Sequence, residues 1–150
     1  MPTYANLSDV LQADGALQRI TEDCKALVDQ ELATKSGVSA TVLKASYKVV
    51  TTLAPGYYET MIGRIVPQVI EKLQPYWAEF NAAGGGNFGE FLAGRGQEVA
   101  EAVLSVTDAM AERSNRGVIK KAYSAVRGNA VEHVQAALPA VGALVEKYAA

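Results

Sequence analysis

Two kinds of residue in this sequence could do chemistry, and both are sparse. The first is glycine: NAAGGGNFGEFLAGRGQ, residues 81–97, holds six glycines between Gly84 and Gly96. The spacing Gly84-x-Gly86-x-x-Gly89 is that of the loop which brings a dinucleotide's pyrophosphate to a helix N-terminus. Such a loop works between a β-strand and a helix, but here PYWAEFNAA, the end of an amphipathic helix, precedes it. No Gly-Lys-Ser/Thr follows to make a Walker-type loop. The expected role is a connector, with Asn87 capping a short helical turn that tucks Phe88, Phe91 and Leu92 against a core. The alternative is an anion loop at Gly94, Arg95 and Gly96, where amides and a guanidinium precede the next helix.

The second kind is the nucleophile or metal ligand. His133 and Cys24 are the single histidine and the single cysteine. A serine or cysteine triad would have to use His133, yet Cys24 falls on an inward helical stripe, where a thiol is usually inert. Di-iron carboxylate sites need two Glu-x-x-His pairs, and structural zinc needs four ligands; neither set is present. Carboxylate neighbours such as Glu22-Asp23 and Glu98/Glu101 are ordinary on solvated helix faces. No catalytic residue, cofactor or metal is expected, and the reading is of a non-enzyme.

The elements that carry these residues have helical period almost throughout. Leu17, Ile20, Cys24, Leu27 and Leu32 step by threes and fours, with Asp14 placed to cap the start and Gly37 to end the run. Ser39 is placed to cap a second helix with Leu43, Tyr47 and Val50, stopped by Ala54-Pro55-Gly56. A long third helix runs from Tyr58 to Phe80, with Pro67 expected to kink it. Val99, Val103, Val106 and Met110 mark a fourth, and Val118, Ala122 and Val126 a fifth. Val131, Val134, Leu138, Val141, Val145 and Tyr148 mark a sixth, with Pro139 inside. No alternating run suggests a sheet, so the fold class is all-α.

The two halves echo one another. Val28, Leu32, Ala33, Lys35 and Ser36 align with Val106, Met110, Ala111, Arg113 and Ser114. Val42, Lys44, Tyr47 and Val50 align with Val118, Lys120, Tyr123 and Val126, and Pro67-x-Val69 with Pro139-x-Val141. This predicts one helical domain over 1–150, built of pseudo-repeats ~8–80 and ~97–150 joined by the glycine-rich connector 81–96.

Composition sets the remaining limits. A chain of 150 residues, 49% apolar and 20% charged, is one soluble globular domain by size and content. A net charge of −2 gives no overall attraction to nucleic acid or anionic membrane. The lone cysteine, the absence of a signal-like start in MPTYANLSDVL and the lack of a long apolar run predict a cytoplasmic protein without a membrane span. Charge is nonetheless uneven. Lys35, Lys44 and Lys48 fall in a stretch without acids, as do Arg113, Arg116, Lys120, Lys121 and Arg127.

Lys44, Lys48, Arg116, Lys120, Lys121 and Arg127 are therefore the candidate partner surface on the second and fifth helices. The favoured function is a non-enzymatic helical module that binds another protein or itself; the alternative is a binder of nucleic acid or another anion. Poor aromatic interleaving argues against single-strand stacking.

The strings LSDVL, SGVSATVLKASYKVV with LAPGY, NFGEFLA, and ERSNRGVIKKAY followed by ALPAVGALVEKYA resemble an uncharacterised family of short bacterial proteins. The resemblance spans nearly the whole chain and implies an all-helical bacterial cytoplasmic protein. It brings no activity, cofactor or site residue.

Overall fold

A 3-10 turn, Leu7–Gln12, opens the chain and is followed by α1 (Ala16–Thr34), α2 (Val38–Thr52), α3 (Tyr57–Ala82), α4 (Phe88–Ala93), α5 (Gly96–Arg113) and α6 (Gly117–Ala149). The computed structural model describes residues 4–35, 37–52 and 56–150, and among them there is no strand. The all-α expectation holds. The proposed stop at Ala54-Pro55 lies outside the described residues.

The expected helix ends are only partly those observed. Asp14 does not cap α1: Gly15 does, at φ 72°, the left-handed backbone that glycine adopts without strain. Val38, not Ser39, is the first residue of α2, so Ser39 lies within its first turn. Asn87 caps α4 as expected, its side-chain oxygen accepting the Glu90 N–H at 2.9 Å.

The larger departure is at the C-terminus, where the fifth and sixth expected helices run as one 33-residue α6. Gly128 falls between the two expected stripes, Val118 to Val126 and Val131 to Tyr148. A lone glycine inside a helix costs only about 1 kcal/mol, and packing along both flanks overrides it. Leu17 and Val118, expected on inward stripes, are instead 38% and 46% exposed, since each sits in the first turn of its helix.

The glycine run turns out to be mechanical. Gly84, Gly85 and Gly86 have φ of 107°, 79° and 122°, and together reverse the chain after α3. Gly89 lets α4 lie against α6: a Cβ there would sit 2.6 Å from the Pro139 carbonyl oxygen. Gly142 is the matching gap on α6, where a Cβ would fall 2.3 Å from Gly89 Cα.

Around this crossing lies a dense core. Trp77, Phe80, Phe88 and Phe91 pack ring on ring with centroids 5.0–6.1 Å apart, beside fully buried Leu92, Val99 and Leu138. The chain start is stitched to it: the Trp77 indole donates to the Tyr4 carbonyl at 2.8 Å, and the Tyr4 N–H donates to the Ala149 carbonyl at 3.0 Å. The Glu146 carboxylate accepts the Phe88 N–H at the head of α4.

At the other end α2 lies against α6, where the Ser46 hydroxyl donates to the Ala122 carbonyl at 3.2 Å. Tyr47 of α2 donates to Asp29 of α1, and Tyr123 of α6 donates to Asp108 of α5. These are the tyrosines that the sequence aligns, and each bonds to a carboxylate on the helix before it.

Candidate binding cavity

Between α1, α2, α3, α5 and α6 the structure leaves a cavity of about 960 Å³. Small and medium residues along these helices leave part of the space between the larger ones unfilled. Val28, Leu43 and Val50 face Val103, Met110, Ala122, Val126 and Ala137 across it. The aromatic side chains that close the other end are all on α3 and α4. A second, apolar pocket of about 210 Å³ lies towards Ile20, Cys24 and Leu73. Leu27, Val28, Ile65 and Val141 border both, so the apolar interior continues from one into the other.

Polar groups punctuate this wall. The Tyr58 hydroxyl and His133 Nε2 are both buried, and neither has a hydrogen-bond partner. The Tyr58 residue is 6% exposed, and burial is the main cause that holds its phenol protonated far above the usual range. The Tyr47 ring stands edge-on to it, centroids 5.4 Å apart. Tyr123 bonds with Thr107 at 2.7 Å. Its partner Asp108 also takes the Arg127 guanidinium at 2.8 Å, and these contacts hold the Asp108 carboxyl below its ordinary pKa. Where α3, α5 and α6 come to the surface, Arg64, Arg113, Asn115 and Arg116 form the rim, with the Arg116 guanidinium 5.1 Å above the Tyr57 ring.

Burial lowers the pKa of His133, Lys35 adds to the shift, and Glu132 opposes it. The folded protein thus refuses a proton that the unfolded chain takes up at about pH 6.5. Stability should fall as pH drops through that value and level off below the depressed folded pKa. Urea midpoints measured between pH 7.5 and 5 for wild type and His133→Gln check this: the variant should lose that component of the slope. Equal slopes would place His133 in a solvent-like setting.

The residues singled out from sequence are dispersed. Lys44, Lys48, Lys120 and Lys121 are exposed, and the Lys44 ammonium donates to the Lys35 carbonyl at 3.1 Å. Lys44 and Lys48 flank Ser46 by two residues, as Lys120 does Ala122. At 3.6 residues per turn this turns Lys44, Lys48 and Lys120 away from the Ser46–Ala122 contact. Arg127 is not a free cation, since Asp108 and Glu101 answer it. Arg116 belongs to the cavity rim.

The proposed anion loop is occupied by its own chain. Arg95 pairs with Glu79 at 2.6 Å and lies 5.7 Å from the Tyr76 and Phe91 ring centres. The Gly94 and Arg95 amides donate to the Glu90 and Leu92 carbonyls, and Gln135 packs against Gly96. That is a joint between α4 and α5.

Cys24 is half-buried against the core, and desolvation with Asp23 nearby pushes its thiol up to about 11, well short of a nucleophile at neutral pH. Among the described residues no three His, Cys, Asp or Glu side chains gather as a metal site. No helix among them is long and apolar enough to cross a membrane.

The sequence reading missed the cavity. Periodicity tells which residues face inward, not whether they meet. Alanine at 111, 122 and 137 on inward faces was the available signal.

Fold and site together define an all-helical protein that is packed solid at one end and hollow at the other. Residues 7–149 match a family of unknown function, DUF6918, and the chain belongs to it. No curated protein and no solved structure matches the chain.

Proposed function

We propose that this chain is a non-enzymatic binding protein whose interhelical cavity holds an apolar small molecule bearing a hydrogen-bonding oxygen. The observation that carries this reading is the cavity of about 960 Å³, at the upper end of the usual range of roughly 300–1,000 Å³ for ligand pockets. Its walls are mainly aliphatic, so the free energy of binding would come from area removed from water, at about 25 cal/mol per Å². Tyr58 and His133 supply the polar points: each has a buried atom without a partner, a state that costs about 1–3 kcal/mol until a ligand or water answers it. A pure hydrocarbon would leave both unanswered.

The uncharged fluorophore N-phenyl-1-naphthylamine tests the reading. Its emission should rise and shift to the blue on titration, saturating at one molecule per chain with micromolar affinity. No saturable change up to about 100 µM would contradict it.

A second reading keeps the favoured expectation from sequence, a helical interaction module, with nucleic acid as its alternative partner. It is supported by the exposed Lys48, Lys120 and Lys121, for which no ion pair occurs among the described residues. Reversing Lys44, Lys48, Lys120 and Lys121 to glutamate should then remove a partner recovered by the wild type. A nucleic-acid partner would reveal itself by affinity falling with salt at a log–log slope of about −0.9 per phosphate neutralised on duplex DNA.

A further inference from the structure

We infer that the molecule held in the cavity is an anionic amphiphile, its charged head at the Arg64–Arg113–Arg116 rim and its apolar body directed inward; this rests on the binding reading above. The rim is the first observation. Three exposed arginines line the cavity, and among the described residues none of the three has a carboxylate within ion-pair distance. Three other cations are answered across helices, Arg95 by Glu79, Arg127 by Asp108 and Lys147 by Asp23, while the remaining unpaired ones, such as Lys48, Lys120 and Lys121, do not line the cavity. One carboxylate lines the cavity, Glu31, and it stands 3.8 Å from Lys35 one turn along α1. The walls thus carry an unbalanced positive charge, gathered at the mouth.

Guanidinium is suited to this role because its fork of donors meets a carboxylate or phosphate through two parallel hydrogen bonds. Arg116 is already oriented by the Tyr57 ring, and Arg64 lies two turns along α3 from Tyr57, on the same face. The interior is the second observation. Beyond the mouth the wall becomes aliphatic and leads on to the smaller apolar pocket, so a chain or fused-ring body has somewhere to go. The Tyr58 hydroxyl, buried and unpartnered, is available to an oxygen on that body. Carboxylate and phosphate heads share the chemistry the rim recognises, and the two sources are separated by titration.

Isothermal titration calorimetry with four ten-carbon probes, each below its micelle concentration, decides the matter: decanoate, decyl phosphate, decanol and decyltrimethylammonium. At least one of the two anions should bind one per chain and at least tenfold more tightly than decanol, with the cation weakest. The better anion identifies the head group. In Arg64→Gln/Arg116→Gln that anion should lose at least tenfold in affinity while decanol stays within about twofold. Arg64→Lys/Arg116→Lys should fall between, because charge is kept and the fork is lost. If decanol matches both anions, or if the glutamine variant weakens anion and alcohol alike, the head-group assignment is wrong and the cavity reading stands. If neither the four probes nor the naphthylamine binds, both are wrong.

Discussion

Phe88→Ala should cost about 4 kcal/mol of unfolding free energy, within the range of roughly 3–5 typical for a buried phenylalanine. Phe88 is fully buried and touches Trp77, Phe80 and Phe91, while its backbone N–H is held by Glu146 of α6. The truncation leaves a hole bounded by helices fixed on other sides, so little collapse is available to fill it. For a chain of this size the loss corresponds to a melting temperature lower by roughly 8–16 °C. Urea unfolding followed by the single tryptophan, itself in the cluster, is the natural readout. A cost below 1 kcal/mol would show that α4 is not part of the core.

Gly142→Ala should be nearly as damaging for a different reason. A methyl at that position would lie 2.3 Å from both Cα and N of Gly89, so two backbones must separate. Overpacking typically costs about 1–3 kcal/mol, and the upper end applies here because the obstacle is main chain. Gly128→Ala, in the same helix with nothing within 4 Å of the added carbon, is the control. It should be neutral or stabilise by up to about 1 kcal/mol from helix propensity. Opposite signs for one chemical change, fourteen residues apart, separate crossing from propensity. If both glycines behave alike, α4 does not lie on α6 as described.

The two substitutions also show why some of the molecule was legible in the sequence. The inward stripes of α1, α3 and α5 were readable because burying an amphipathic face fixes a 3.6-residue period. The Asn87 cap was readable because its geometry depends on the following three residues alone. Helix ends that depend on tertiary packing were not. Nothing local distinguishes Gly128-Asn129 inside α6 from a break, and the helix continues because α2 and α5 pack along it. The close approach of Gly89 and Gly142 joins positions 53 residues apart, and no local pattern registers it.

The candidate site divides in the same way. Tyr47 was legible as part of a helical stripe, but its significance, like that of Tyr123 and His133, depends on a volume lined by five helices. The basic residues were identified by charge without the partners that change their meaning. Arg127 is taken up by Asp108 and Glu101, Arg116 turns to Tyr57, and Lys44 donates to the Lys35 carbonyl. Charge counting could not foresee that three arginines without a carboxylate partner, Arg64, Arg113 and Arg116, line one cavity.

Filling the cavity from inside is the sharpest check on the binding proposal. Ala137 faces the void from α6, so Ala137→Phe should find room there instead of a clash. The proposal predicts two linked results: stability rises by about 1 kcal/mol, as cavity-filling changes commonly give, and saturable naphthylamine binding falls at least tenfold. A variant that is less stable than wild type yet binds the probe unchanged would show that this volume is neither empty nor the ligand site.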